Sequence, residues 1–576
     1  MKKVLLGLLL MLTPFLCSSQ EEIIVSGGTQ VDIQNAINSF NTSNNGYGTI
    51  SIKGDVLIQQ NLDVPSKVTL NFYTGNKLIV SDSTSVNIKG NIIATTNQIF
   101  ETSELDHKIR IHNQKVYPEW FGECSYQNST VNYNDDITIQ KAINSLIGGG
   151  ELLLKGNEYL ITSPININTP SIKIKGKGTY SAGSTVANDL VATNSSVSSI
   201  FNISIYGIII SDINFTKEIK TNKGINAKGK ALNFVRSDGT KDIDAAVSNC
   251  RFTHFKYCIY AEGANLKVTD NFFGASYIGV FVKEAQFDPE NQELPSIDLN
   301  SQTRGYIIDR NRFHSMGGYS KDTSLNGSAC IKIRHSGYIY KRSENGVIGD
   351  LPSFEKFRGI GYYNHISNNY ADDCKTFFEG NIDRTKVEGN SIFGSGGTAI
   401  KGFGGVYGSI SNNLIDGSFT GNPNRLYYFS DANSDEFPSG HGIHIDYAHF
   451  TTIHNNQILN KRFHGIYIEH SKNSSIQSNT IMNFNRHRYI SSGTQEQDSA
   501  VYDGIHILKI QDDNPITNDK YNIQNIISNN IISITHNKVE ARYAIYAGDG
   551  DDYNFIKNNF IVSERLMGTG GPIKIE

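Results

Sequence analysis

The residues in this chain whose types and spacing suit chemistry recur at the same place in a repeated phrase. Gly-Ile or a close equivalent is followed at once by a polar or aromatic side chain: His444 after Gly442-Ile443, Tyr467 after Gly465-Ile466, and His506 after Gly504-Ile505. Aligning the chain on the small residue of each phrase (Cys258, Gly279, Cys330, Thr376, Ala399, Gly442, Gly465, Gly504, Ala544) gives an apolar column one residue later. It reads Ile259, Val280, Ile331, Phe377, Ile400, Ile443, Ile466, Ile505, Ile545. In an extended strand the next residue points the other way. That outward column is Tyr260, Phe281, Lys332, Phe378, Lys401, His444, Tyr467, His506, Tyr546. Two residues further on it is Glu262, Lys283, Arg334, Gly380, Phe403, Asp446, Glu469, Leu508, Gly548.

Lysine, histidine and tyrosine together are the equipment of proton transfer next to an anionic carbon acid. β-Elimination at a uronic acid needs a cation to neutralise the carboxylate, a base for the C5 proton and an acid for the leaving oxygen. Lys332, Lys401, His444, Tyr467 and His506 are the candidate catalytic residues. Arg334, Arg425, Tyr428, His441, His464, Arg486 and Arg488 are the candidate substrate-binding residues, through stacking on sugar rings and pairing with carboxylate or sulfate. Asp446 and Glu469 are the candidate ligands for a Ca²⁺ that would do the neutralising. The same two carboxylates, on adjacent rungs, also fit a glycoside hydrolase. A non-catalytic glycan-binding surface protein would use the same aromatic and basic residues.

The element that lines these residues up is a solenoid. An Asn followed two residues later by an apolar residue recurs at Asn214, Asn249, Asn271, Asn311, Asn369, Asn390, Asn413, Asn456, Asn479, Asn530 and Asn559. The shortest spacings are about 22 residues, with short apolar strands and no helical periodicity between them. Long insertions at 284–304, 336–360, 416–439 and 484–502 flank the candidate face on both sides, as the walls of a groove would.

The opening of the solenoid occurs twice. Asp32-Ile-Gln-Asn-Ala-Ile-Asn38 and Ile137-Thr-Ile-Gln-Lys-Ala-Ile-Asn144 each read as a short amphipathic helix followed by alternating strands. The stretch Val116-Tyr-Pro-Glu-Trp-Phe-Gly122, followed by Asp135-Asp136, Ile139-Gln-Lys-Ala-Ile143 and Gly148-Gly-Gly150, resembles the start of the pectate-lyase-like right-handed parallel β-helix superfamily. The usual Gly-Asp-Gly before the paired Asp is replaced here by Ser125 to Tyr133. The resemblance spans roughly 116–565. It implies an all-β, right-handed parallel β-helix and a place among polysaccharide lyases, glycoside hydrolases, epimerases and tailspikes.

Composition bounds the rest. The chain has 576 residues, a formal charge of −4, and 19% charged residues, so no global basic field invites nucleic acid. Lys2-Lys3, the apolar run Val4 to Leu16 and small residues after it read as a secretion signal over 1–19, too short for a membrane span. Cys17 is alternatively a lipidation site. The expected organisation is a signal at 1–19, a small β segment at 20–115 and the β-helix at 116–576. The other five cysteines (Cys124, Cys250, Cys258, Cys330, Cys374) lack metal-ligand spacing and read as small buried hydrophobes. The partner implied is an anionic polysaccharide, met in the medium, in the periplasm or at the cell surface after signal cleavage by a monomer without a membrane span.

Overall fold

The computed structural model describes residues 21–43, 45–102, 108–112, 114–125, 135–156, 158–178, 189–192, 197–217, 229–235, 242–283, 305–316, 328–334, 363–405, 407–417, 440–446, 448–461, 463–469, 471, 473–484, 502–508, 525–535, 541–547, 554–562 and 571–575. The chain divides into two compact units. The first takes in the residues up to Asn128 and Ile137–Leu153, and the second Ser129–Asp136 and Leu154–Glu576. Among the described residues, no helix is long and apolar enough to cross a membrane.

The first unit opens with strand Glu22–Thr29 and helix Gln30–Ser43. The helix buries Ile33, Ala36, Ile37 and Phe40, the i, i+3, i+4, i+7 stripe of an amphipathic helix. Phe40 closes against Gly48, where an added Cβ would lie 2.4 Å from the ring. Strand Gly48–Ile58 is long enough to serve two neighbours, pairing with Val68–Phe72 through its first half and Leu78–Val80 through its second. In the turn Pro118–Phe121, Trp120 is buried and its indole N–H donates to the Thr95 carbonyl at 2.9 Å. The second expected helix is present at Asp135–Ser145.

The second unit is a right-handed parallel β-helix. Each coil contributes one strand in turn to three parallel sheets, in sequence order. A first sheet of 13 strands runs from Glu158–Ile161 to Phe560–Val562, and a second of 13 from Ile165–Ile167 to Ile573–Ile575. The third runs in this unit from Ile172–Lys175 to Phe555–Lys557. The core is built from stacked identical positions. On the first sheet Phe215, Phe252, Phe273 and Phe313 stack with ring centroids 5.0, 5.1 and 4.8 Å apart. On the second sheet Ile400, Ile443, Ile466, Ile505 and Ile545 form an inward column and are all fully buried. The five described cysteines are buried and unbridged.

The bend from the third sheet into the first holds an asparagine ladder. Asn271, Asn311, Asn369, Asn390, Asn413, Asn456, Asn479, Asn530 and Asn559 occupy one slot, each bonded to the next. Asn456 shows the pattern. Its Oδ1 accepts from the Asn413 backbone N–H and side-chain amide at 3.1 and 2.9 Å. Its own Nδ2 donates to Ile410 O and Asn479 Oδ1, both at 3.0 Å. The residue before the slot is left-handed, as at Asn412 and Asn455 (φ 56° each), a conformation that asparagine tolerates better than most side chains. Asn214 and Asn249 repeat the phrase but lie outside the ladder. Asn249 holds the left-handed position and Cys250 fills the slot, while Asn214 begins a strand.

One coil corrects the expected columns. Phe378 does not face outward; it is fully buried and pairs with Ile331 and Ile400. Gly380 pairs with Ile333 and Gly402, so it too lies in the inward register. Glu379 takes the outward rung between Lys332 and Lys401. The cause is Phe377, which stands where neighbouring coils carry the small residues Cys330 and Ala399. Its ring packs edge-on against Phe313, at the end of the phenylalanine stack, with centroids 6.2 Å apart.

Replacing Asn456 with Ala strands the Asn413 donors and the Ile410 carbonyl in the interior. At about 1–3 kcal/mol for each unsatisfied buried group, the variant should lose roughly 3 kcal/mol or more of stability. The check is a denaturant titration followed by circular dichroism, against a surface Asn→Ala control.

Candidate functional site

The outward rungs of the second sheet run Lys332, Glu379, Lys401, His444, Tyr467, His506, Tyr546, each beside the next. A second column stands three residues earlier, just before the small residue of each coil: His441, His464, Asp503, Tyr543. The glycine between the columns is a packing requirement. A Cβ on Gly442 would come 2.4 Å from Ile458 and one on Gly465 2.4 Å from Ile481, both core residues of the first sheet. This close approach fixes the strand that carries both columns outward.

The rings of the two columns pack face to face. His441 and His464 stack with centroids 5.2 Å apart and planes 7° apart, and both stack on Tyr467 at 4.9 and 5.3 Å. His444 lies 4.9 Å from Tyr467, and His506 lies 4.5 Å from His464 and 4.7 Å from Tyr546. The outward histidines are therefore mostly covered, His444 and His506 each retaining 8% exposure. Tyr467, Lys401, Glu379 and Asp446 are half-buried.

Two hydrogen-bond systems organise the cluster. In one, Asp503 is fully buried and its Oδ2 lies 2.7 Å from His506 Nδ1. Arg542 binds the same carboxylate with both arms, Nε to Oδ1 at 3.1 Å and an NH2 group to Oδ2 at 2.7 Å. The Tyr543 N–H also donates to Oδ1, and the Asp503 N–H donates to His464 Nδ1 at 2.7 Å. That last bond makes His464 Nδ1 an acceptor, so its remaining proton sits on Nε2. In the other system Glu469 receives His444 Nε2 at 2.7 Å on one oxygen and the Tyr467 hydroxyl at 3.1 Å on the other. The Nδ1 atoms of His441 and His444 are buried and make no hydrogen bond among the described residues.

Electrostatics follows from this arrangement. Burial pushes His464 down to about 3, helped by the neighbouring His506. Burial likewise holds His441 well below the usual histidine range, with His464 and His444 adding to the effect. Both rings are neutral near pH 7. Burial raises the Tyr467 phenol and Glu469 raises it further, so it stays protonated. Burial alone would raise Asp503, but its bonds to His506 and Arg542 prevail and hold it below the ordinary carboxylate value.

Of the residues picked from sequence, His441, His444, His464, Tyr467, Glu469 and His506 meet in this cluster. Asp446 pairs with Glu469 on the adjacent rung, and Lys401 stands one rung from His444. Lys332 lies two rungs beyond Lys401, buried, its ammonium 2.9 Å from Glu379. The Arg334 backbone pairs with Lys283 on the same sheet. Arg425, Tyr428, Arg486 and Arg488, with the insertions that carry them, lie outside the described residues. Glu379, Asp503 and Arg542 were missed. Asp503 stands in the column of His441 and His464, which the Gly-Ile phrase would have revealed had it been read three residues backward.

Two donor sets bear on metal binding. Asp446 and Glu469 supply two carboxylates on adjacent rungs, against the roughly six to eight oxygens that Ca²⁺ takes, and each Glu469 oxygen already accepts one hydrogen bond. His464, Asp503 and His506 bring ligand atoms within 4.8 Å of one another. His464 Nδ1 is occupied by a backbone N–H and Asp503 is neutralised by Arg542, so a cation there would displace an ion pair.

No protein-family model matches the chain, and no curated protein is similar to it in sequence. Several solved structures match it at low similarity. The A-module of an Azotobacter vinelandii mannuronan C-5 epimerase is 13% identical, with a TM-score of 0.34 over 77% of this chain and 94% of that one. DFA-IIIase from Arthrobacter chlorophenolicus A6 is 10% identical, with a TM-score of 0.40 over 74% and 88%. The catalytic unit of a GH87 α-1,3-glucanase from Streptomyces thermodiastaticus is 10% identical, with a TM-score of 0.33 over 75% and 66%. At these levels the likeness assigns no chemistry to the rungs.

His464, His441 and Asp503 all bind fewer protons folded than unfolded below their ordinary values. The unfolded chain therefore gains protons first as pH falls, and stability rises with pH across that window. For His464 the window runs from about 3 to its ordinary 6.5. Denaturant midpoints measured at pH 7, 5.5 and 4 should fall steadily. In His464→Gln the slope should be shallower by up to about 1.4 kcal/mol per pH unit.

Proposed function

We propose that this chain is a secreted polysaccharide lyase that cleaves a uronic-acid-containing polysaccharide, sulfated or not, by β-elimination over the second sheet. The observation that carries the reading is the Asp503–His506 pair standing one rung from a tyrosine that burial and Glu469 keep protonated. An acid and a base on adjacent rungs, about 4.8 Å apart, match the short distance between a sugar's C5–H and its O4.

The roles follow from which atoms are already engaged. His506 Nδ1 is held by Asp503, so Nε2 takes the C5 proton. Asp503 orients the ring and stabilises the imidazolium that forms, and Arg542 keeps Asp503 ionised in its buried position. The C5–H electron pair becomes the C4–C5 double bond, the C4–O4 bond breaks, and the leaving oxygen takes the Tyr467 phenolic proton. Lys401 stands three rungs from His506, about 14 Å, and pairs with the carboxylate of a neighbouring sugar. His444 and Glu469 position Tyr467, and the neutral rings of His441 and His464 form the floor beneath it.

A second reading rests on a different pair. Asp446 and Glu469 are register partners, and a rung spacing of about 4.8 Å is near the roughly 5 Å of a retaining glycosidase. On that reading the chain is a glycoside hydrolase.

Alginate, polygalacturonate, ulvan and glycosaminoglycans distinguish the two. Lyase products carry a C4–C5 double bond conjugated to the carboxylate and absorb in the ultraviolet, whereas hydrolase products do not. Wild type should generate that absorbance. His506→Ala and Tyr467→Phe should each lower the rate by about 10² or more, and Lys401→Ala should slow it on charged substrates. New reducing ends without absorbance, abolished by Asp446→Asn or Glu469→Gln, would give the site to hydrolysis. Binding without cleavage, unchanged in every variant, would leave the chain a glycan-binding protein.

A further inference from the structure

A face of the first unit takes no part in the chemistry above. Strands Glu22–Thr29, Gly48–Ile58, Val68–Phe72 and Ile92–Ile93 lie side by side in parallel register. Alternation sends Ile50, Ile52, Leu70 and Phe72 into the core. The opposite face carries two exposed tyrosines at its ends, Tyr47 at 52% and Tyr73 at 43% exposure. Each has an ammonium over its ring: Lys67 Nζ is 4.7 Å from the Tyr47 centroid and Lys53 Nζ is 4.5 Å from that of Tyr73. Both lysines are exposed. Between the tyrosines runs a polar row, in which Asn71 Nδ2 donates to Ser51 Oγ at 3.2 Å and Ser51 donates to Glu22 at 2.5 Å.

We propose that this face is a second polysaccharide-binding surface, taking an anionic glycan. It shares the ligand class of the lyase reading but none of its residues. Tyr47 and Lys53 are six positions apart, and at about 3.3 Å per residue the two rings stand roughly 20 Å apart, a span of several sugars in an extended chain. An aromatic face packs against the C–H face of a pyranose. The ammonium at each ring supplies the countercharge for a carboxylate or sulfate at the same sugar, and the half-buried Thr49 and Asn71 between the rings offer polar atoms to sugar hydroxyls, with the buried Ser51 holding Asn71 in place. A protein partner fits this face less well, because protein interfaces centre on a desolvated apolar core. Here the exposed rings are parted by Thr49, Ser51, Thr69 and Asn71.

The test is affinity electrophoresis of the full chain through gels containing alginate, polygalacturonate or chondroitin sulfate, with neutral xylan for comparison. At least one anionic glycan should retard the wild type more than xylan does. Tyr47→Ala/Tyr73→Ala should bind that glycan about tenfold or more weakly, as expected when two stacking contacts are lost. Tyr47→Phe/Tyr73→Phe, which keeps the rings, should bind nearly as wild type. Lys53→Gln/Lys67→Gln should bind more weakly and with less dependence on salt. The tyrosine variants should cleave short oligosaccharides at the wild-type rate. Unchanged retardation of the alanine pair, retardation by none of the gels, or equal retardation by xylan overturns the proposal. Should the alanine pair unfold early, the exposed Lys→Gln pair decides alone, and its unaltered binding is equally fatal.

Discussion

Everything in the second unit depends on the coils stacking without slip, and the asparagine ladder is what prevents slip. Along the ladder each amide is bonded both up and down the solenoid, and its Nδ2 also ties a backbone carbonyl in the third-sheet strand of the preceding coil. A coil displaced by one residue would leave those buried groups unpaired at both ends. The apolar columns enforce register less strictly. A slip of one residue turns the inward isoleucines outward, but a slip of two sets Ile445 where Ile443 stood and still buries hydrocarbon, whereas a shifted amide has no partner.

With register held, chemistry is placed by the strand alone. The site needs no loop to bring its central groups together: His441, His444, His464, Tyr467, Glu469, Asp503 and His506 all belong to three consecutive strands of one sheet or the residues just before them. The cost is that titratable groups are crowded onto a surface with little water. The structure meets it by keeping two histidines neutral and by matching one fully buried carboxylate with a bidentate arginine. Neutral rings can then stack on Tyr467 without repelling one another, which charged rings could not do.

Much of this is legible in the sequence. The period of about 22 residues, the inward isoleucines and the outward His444, Tyr467 and His506 follow from strand alternation, and the structure places them so. The reading failed where a side chain broke the local rule. Phe377 fills a slot that other coils give to a small residue, because the end of the phenylalanine stack has room for a ring there. Alignment on small residues therefore slid to Thr376, turned Phe378 outward and hid Glu379. Arg542 was invisible for a different reason. It precedes its coil's strand and acts on the neighbouring one, 39 residues away in sequence. Nothing in its own phrase marks it as a partner of Asp503.

The equivalence of the coils also separates length from chemistry. Gaining or losing a whole coil near Phe273 or Asn311 would extend or shorten the amide ladder and the stacked core, yet leave the spacing among His444, Tyr467, His506 and Arg542 untouched. A coil inserted between Gly465 and Gly504 would be just as acceptable to the fold. It would carry His506 one further rung from Tyr467, about 4.8 Å, and dissolve the acid–base pair. Coil number is therefore free to drift along much of the solenoid and fixed between Gly442 and Arg542, so the part of the chain that performs the reaction is also the part whose length cannot change.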